Sequence, residues 1–398
     1  MDYRSDLPRT ADLVIVGGGV VGAATAWHAA RAGYRPVVLE ARPAICTLTT
    51  PVAAGAFRLQ FDNLEELELV RESVELFLNF EEATRQRTYA LGVRQQGYLW
   101  LTTSEETAAV QHELVRRLHG WGQTDVELLT GDEARARFPF VGPEVIQARF
   151  RQGDGFLHTK RLTYGLAASA VASGASVVAN CRATGFVVRS GRVAGVETTL
   201  GTIETDTAVV AAGPLSGPLA AAAGIELPVV TVRRHKLWVP DAPAIRPDAP
   251  MTIDEDTGAH WRPFGAGAWV LFTDPATPPE PPAWDVRTEA SFAFRVMDPA
   301  SPVSVARVTP LWQEMWEFGA HHWLLQAGQY TVTPDHRPLI GPTEIEGLYA
   351  NTGYSGHGIM LSPAGSRLLV DVMTSPAERA TNPFAPDREF GPVPPSRL

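Results

Sequence analysis

Residues 11–16, ADLVIV, are apolar except for Asp12 and rich in valine, and they run straight into glycines. That pattern predicts a short buried strand followed by a tight turn. Alanines then dominate 21–32, a predicted helix with Gly33 placed to end it, and PVVL at 36–39 predicts a second strand ending on Glu40. Alternation over 175–178, 183–188 and 193–198 predicts three further strands, with Ser190-Gly191 as the turn between the last two. Residues 207–212 form another apolar run that stops at Ala212-Gly213-Pro214. Near the end, 347–351 predicts a strand entering TGYSGHG, and then a helix with Ser362 as N-cap and Pro363 in its first turn. Leu67, Val70, Val74, Phe77 and Leu78 mark one face of a helix across 64–82. Val110, Leu114, Leu118 and Trp121 do the same further on, and both faces are expected to be core.

The order strand, G-x-G-x-x-G, helix, strand, acid has a physical purpose. Gly17 permits the turn, Gly19 lets a pyrophosphate approach the backbone, and Gly22 lets helix and strand pack closely. The helix N-terminus favours negative charge there, and Glu40 can accept hydrogen bonds from ribose hydroxyls. The acid favours FAD or NAD over NADP, and the motif by itself does not choose between those two.

Charge and composition narrow the partners. A net charge of −10 with no basic run argues against nucleic acid. Cys46 and Cys181, the only cysteines, support neither a disulfide framework nor zinc spacing, so a reducing compartment is expected. The N-terminus lacks the apolar run of a signal peptide and no window has a membrane span's length, so the expectation is a cytoplasmic protein. His321-His322 lie in a strand-like run, where neighbours point to opposite faces, and no metal site is expected. Proline-rich stretches at 240–250 and 274–283 read as loops.

The second strand–glycine–helix element, at 347–358, presents backbone N–H groups and a helix N-terminus to a planar ligand. Such a site suits a flavin, which carries negative charge on its N1–C2 carbonyl edge when reduced. No second G-x-G-x-x-G is present, which argues against a separate nicotinamide domain.

The segments ADLVIVGGGVVGAATAWHAARAGYRPVVLE, TLTTPVAAGAFR, VVAAGPLSGPLA and TPDHRPLIGPTEIEGLYANTGYSGHGIMLSPAGSRLL resemble the D-amino-acid oxidase superfamily, on its glycine oxidase, sarcosine oxidase and dimethylglycine dehydrogenase branch. The resemblance implies an α/β fold: a Rossmann-like FAD domain, discontinuous in sequence, and a substrate domain on a mixed or antiparallel sheet. The expected division is 1–85, 146–215 and 329–380 for FAD, 86–145 and 216–328 for substrate, with 381–398 as a tail. Carried over, it implies cofactor contacts at Gly17, Gly19, Val21, Gly22, Glu40, Ala41, Arg42, Thr49, Thr50 and Arg58, then at Ala183, Ala212, Gly213 and Gly328. Gly356, His357, Gly358, Ile359 and Met360 are expected along the isoalloxazine ring.

Departures from the family bear on the substrate. The cysteine or histidine that attaches flavin covalently in some relatives is missing at the matching places, so FAD is expected to be non-covalent. A lysine that grips the substrate carboxylate is replaced by Met360, a second arginine by Phe61, and the glycine oxidase arginine by Tyr330. The sarcosine oxidase lysine thought to activate oxygen aligns loosely with Trp269. Candidate catalytic residues are Arg58, Arg262 (a replacement carboxylate anchor), His260, Tyr330 and Tyr354. The expected reaction is hydride removal from the carbon next to an amine nitrogen, giving an imine that hydrolyses. Expected partners are an amine or amino acid and oxygen or another acceptor, with room for a homo-oligomer or an electron-accepting protein. Two alternatives stay open: a hydroxy-acid or alcohol oxidoreductase, and a flavoprotein subunit of a multi-subunit amine dehydrogenase.

Overall fold

The structure, a computed structural model, describes residues 3–319 and 322–393, so His321 of the histidine pair and the last five residues of the tail lie outside the described residues. A six-stranded sheet runs in the order Leu339–Pro342, Leu348–Thr352, Ala208–Val210, Leu13–Val16, Pro36–Leu39, Ser176–Val178. All neighbours are parallel except the first pair. Parallel strands must be covered on both faces, and LVIV shows how. Leu13 and Ile15 join the core under the helices Val20–Arg31, Thr159–Ala172 and Gly358–Thr374. Val14 and Val16 face a three-stranded antiparallel sheet of Ala183–Arg189, Arg192–Thr198 and Gly201–Glu204. Each such side chain, when fully buried, contributes about 1.5–3 kcal/mol.

A second, mixed sheet has eight strands: Leu324–Val332, Val230–Val239, Gly267–Phe272, Ala259–Phe264, Met251–Asp254, Tyr98–Thr102, Gln147–Arg151 and Glu127–Thr130. Among the described residues its only parallel pairing is between Met251–Asp254 and Tyr98–Thr102. One face packs Leu237, Trp261 and Val270 against the helices Ser291–Met297 and Leu311–Glu317. Sheet membership differs from the expected division at two places. Gln147–Arg151 and the whole of Leu324–Val332 belong to the eight-stranded sheet, because long-range ladders hold them there.

Two local expectations need correction. The last long helix begins at Gly358, not after Ser362, so Pro363 lies inside it. Proline cannot supply a helical N–H, and the next N–H, of Ala364, is taken by Ser73 Oγ at 3.2 Å. The helix predicted across 64–82 is Leu64–Leu78 followed by a short Phe80–Thr84. Among the described residues no helix is long and apolar enough to cross a membrane.

Candidate active site

A long cavity follows the C-terminal ends of the central parallel strands. Gly17, Gly19, Val21, Glu40, Ala41, Arg42, Thr49 and Thr50 line one end, with Ala183, Ala212 and Gly213 beside them. Gly356, Gly358 and Ile359 line the other end with Tyr330 and Tyr354. The first helix meets the cavity at Gly19 and the last at Gly358, next to its N-cap His357, which lies outside the lining. Neither helix has an acid in its first turn, so both ends keep their partial positive charge for a ligand.

Gly17 has φ +118°, a conformation few side chains adopt. A Cβ on Gly22 would lie 1.8 Å from the Gly17 carbonyl oxygen, so this glycine sits behind the wall and sets the spacing of helix and strand. The Glu40 carboxylate accepts from the N–H groups of Gly18 at 2.9 Å and Arg42 at 2.8 Å. Burial raises its pKa, and those two donors oppose the shift. Thr50 Oγ1 accepts from the Val20 N–H at 3.2 Å and faces Gly19. An acid at one end, bare backbone and helix N-termini between, and a broad glycine turn at the other fit an unphosphorylated dinucleotide.

The segment after Glu40 is fastened to the eight-stranded sheet by Thr49, expected at the cofactor, and by Lys236, which the sequence did not single out. Thr49 Oγ1 donates to the Gln329 carbonyl at 3.1 Å, and Lys236 Nζ to that of Pro51 at 3.0 Å. Lys236 is buried, lies 3.9 Å over the Trp269 ring, and is pushed down to about 7 by burial, with Arg262 acting in the same direction. Trp284, from the proline-rich loop, also lines the cavity, and its carbonyl accepts from Arg42. Lys236 is the last of the four basic residues RRHK within the strand Val230–Val239, and nothing in that run sets it apart from its neighbours.

The candidate catalytic residues separate. Tyr330 lines the cavity with its ring against Gly356, and burial raises its phenol pKa. Tyr354 also lines the cavity, but its hydroxyl is committed to Asn351 Oδ1, to which it donates at 2.5 Å. Arg262 is buried between Phe156 and Trp269 at 4.2 and 4.1 Å. Its Nε and Nη2 donate to the Ala54 carbonyl at 2.9 and 2.7 Å, and burial lowers it to about 9. The guanidinium thus holds the loop, and a substrate carboxylate would have to compete with a carbonyl for it. His260 is buried, with Nδ1 2.8 Å from the Gly258 carbonyl, and burial takes it down to about 4. Arg58 lies just outside the lining, 4.7 Å over Phe61 and 5.4 Å over Trp100, with Nη2 3.3 Å from His357 Nε2. Met360 is buried behind the wall, and Gly328 packs on Val52.

Known proteins share this architecture. Mitochondrial sarcosine dehydrogenase of Mus musculus is 27% identical over 369 residues, 89% of this chain and 38% of its own length. The chain therefore spans about two fifths of the sarcosine and dimethylglycine dehydrogenases it matches. Glycine oxidase of Pseudomonas putida is 26% identical across 95% of this chain and 99% of its own. Among solved structures, L-proline dehydrogenase from P. horikoshii superposes with a TM-score of 0.82 at 25% identity, covering 96% of this chain and 98% of that one. The profile of the DAO family, described as FAD dependent oxidoreductase, matches residues 12–372, and the chain belongs to that family.

Proposed function

We propose that the chain oxidises an amine or amino acid at the carbon next to nitrogen, releasing an imine that hydrolyses. Bound FAD would supply the hydride acceptor, flavin N5, with oxygen or another acceptor taking the electrons afterwards. FAD would be held non-covalently by Glu40 at the ribose, by the backbone at 17–19 and 213, and by the turn at 356–358. The protein's own part is to position the substrate and exclude water, with Tyr330 at the flavin end of the cavity.

The observation that carries the amine reading is the state of the nearby histidine. His357 has one ring nitrogen against Arg58 and the other towards Glu66, and burial, aided by Arg58, lowers its pKa. An alcohol needs a base to take its hydroxyl proton, and this imidazole is already engaged. A neutral amine needs no such base. The names of the relatives, which act on sarcosine, dimethylglycine, glycine and proline, point the same way.

The test is anaerobic flavin bleaching with N-methyl amino acids, D- and L-amino acids, proline analogues and carboxylate-free amines. Bleaching by one amine class is the expected result, and reoxidation by air then tells oxidase from dehydrogenase. Bleaching by hydroxy acids and by no amine would overturn the proposal.

A further inference from the structure

Two buried polar atoms face each other at the start of the helix Leu64–Leu78. Glu66 Oε1 and His357 Nδ1 are 3.8 Å apart, and neither has a hydrogen-bond partner among the described residues. Buried polar groups are rarely left so, and a proton between these two would satisfy both with a small approach. The chemistry of Arg58 says where that proton is. A guanidinium only donates, so His357 Nε2, 3.3 Å from Arg58 Nη2, must present its lone pair. The single proton of the neutral imidazole is then on Nδ1, directed at Glu66.

Glu66 is well placed to receive it. Its Oε2 accepts from Asn63 Nδ2 at 2.6 Å, and its N–H donates to Asn63 Oδ1 at 2.9 Å, the N-cap of that helix. Phe61 closes the cluster, edge-on to His357 at 5.3 Å and 4.7 Å from the Arg58 guanidinium. His357 is followed by Gly358 and preceded by Gly356, both of which line the cavity.

We propose that Glu66 is a positioning residue for the cofactor site. Acting through His357, it holds the imidazole in its Nδ1–H tautomer and Arg58 in one orientation beside the 356–358 turn, and it offsets the guanidinium's charge. The inference rests on FAD occupying the cavity and is independent of which substrate is oxidised. The charged or titratable groups facing His357 are Glu66 and Asp62 from the start of the helix, Arg58, and His336 from the loop before Leu339–Pro342. Protonating His357 would set a second cation beside Arg58, so the neutral ring is the form to expect near neutral pH.

The test is long-range ¹⁵N–¹H NMR on the histidine-labelled holoprotein, with His357→Asn used to assign the signals. A neutral Nδ1–H His357 near neutral pH is expected, and an Nε2–H tautomer or an imidazolium would overturn the proposal. Glu66→Gln supplies the second readout. Its amide cannot accept from both Asn63 Nδ2 and His357 Nδ1 while also presenting its own NH₂, so the tautomer should become mixed. Loss of one negative charge should also move the flavin midpoint potential in the positive direction. An unchanged tautomer and potential in that variant would sink the positioning role. Should Glu66→Gln fail to fold, Glu66→Asp takes its place, and the wild-type tautomer alone can still refute the idea. The substrate panel bears only on the proposed reaction, and a wrong tautomer bears only on this inference.

Discussion

Along the six-stranded sheet much of the cavity wall is glycine backbone, with Gly17, Gly19, Gly213, Gly356 and Gly358 contributing no side chain. Along the eight-stranded sheet the neighbouring groups are long, charged and buried. Lys236 and Arg262 grip the loop at Pro51 and Ala54. Arg149 pairs with Glu255 at 2.9 Å, and Arg151 with Asp154 at 2.6 Å. One region fails when an atom is added, the other when a charge is removed. The charged side chains of the second region do not line the cavity; they hold the loop and strands that frame it.

The largest effect should come from adding one methyl to the backbone wall. Gly22→Ala would place Cβ 1.8 Å from the Gly17 oxygen, a backbone atom that cannot turn aside. We expect a cost of about 5 kcal/mol and protein that purifies without FAD, read from the flavin absorbance of the preparation. A yellow, normally folded variant would break the claim that this spacing is fixed. Next comes loss of charge from the other region. Glu255→Gln uncouples buried Arg149 and weakens the acceptor of Gln111 Nε2, now at 2.6 Å. Breaking a buried pair costs about 3 kcal/mol or more, visible as a lower urea midpoint. A neutral result would show that water or Gln60, 2.8 Å from Arg149 Nη1, compensates.

The same division explains what could be read from sequence. Gly17, Gly19, Gly22 and Glu40 act within one strand–helix–strand unit, so their spacing carries their meaning. The strands flanking them were legible for the same reason. Lys236, Trp284 and Glu66 act across long loops, and no local pattern reports such contacts. Glu66 is instructive: it stands outside the apolar stripe of its helix, yet it is 2% exposed. Its place at the helix start, beside the cap, turns it inward. Leu78 and Val110 err in the opposite sense, at 50% and 41% exposed, because a stripe says which residues can face the core but not where the covering layer ends. Arg262 read from sequence as a replacement carboxylate anchor, and only the fold shows that it is buried with its donors on a loop carbonyl.

Lys236 gives a pH test of the charged region. Its folded value, about 7, lies below its ordinary value of 10.5, so between these the unfolded chain binds a proton that the folded chain does not. Stability must then rise with pH across that interval, and the burial penalty is fully present below it. Lys236→Met removes the titration. The wild type should gain on the variant by on the order of 1–3 kcal/mol as pH rises from about 7 to about 9.5, measured as urea midpoints. Parallel pH profiles would mean that Lys236 stays charged where it is, held by Trp269 and Pro51.

The smallest effect belongs to removing a side chain from the backbone wall. Thr50 is a hydroxyl within that wall, and it receives the Val20 N–H at 3.2 Å at the first turn of the helix. Thr50→Val keeps the shape and removes the acceptor, which costs about 0.5–1.5 kcal/mol. Part of that is recovered when a phosphate oxygen takes the freed N–H, so FAD affinity should hold or rise, by less than about tenfold. Fluorescence titration of apoprotein with FAD measures it. A fall of a hundredfold or more would mean that Thr50 contacts the phosphate itself, and that this wall recognises its ligand through a side chain as well as through the backbone.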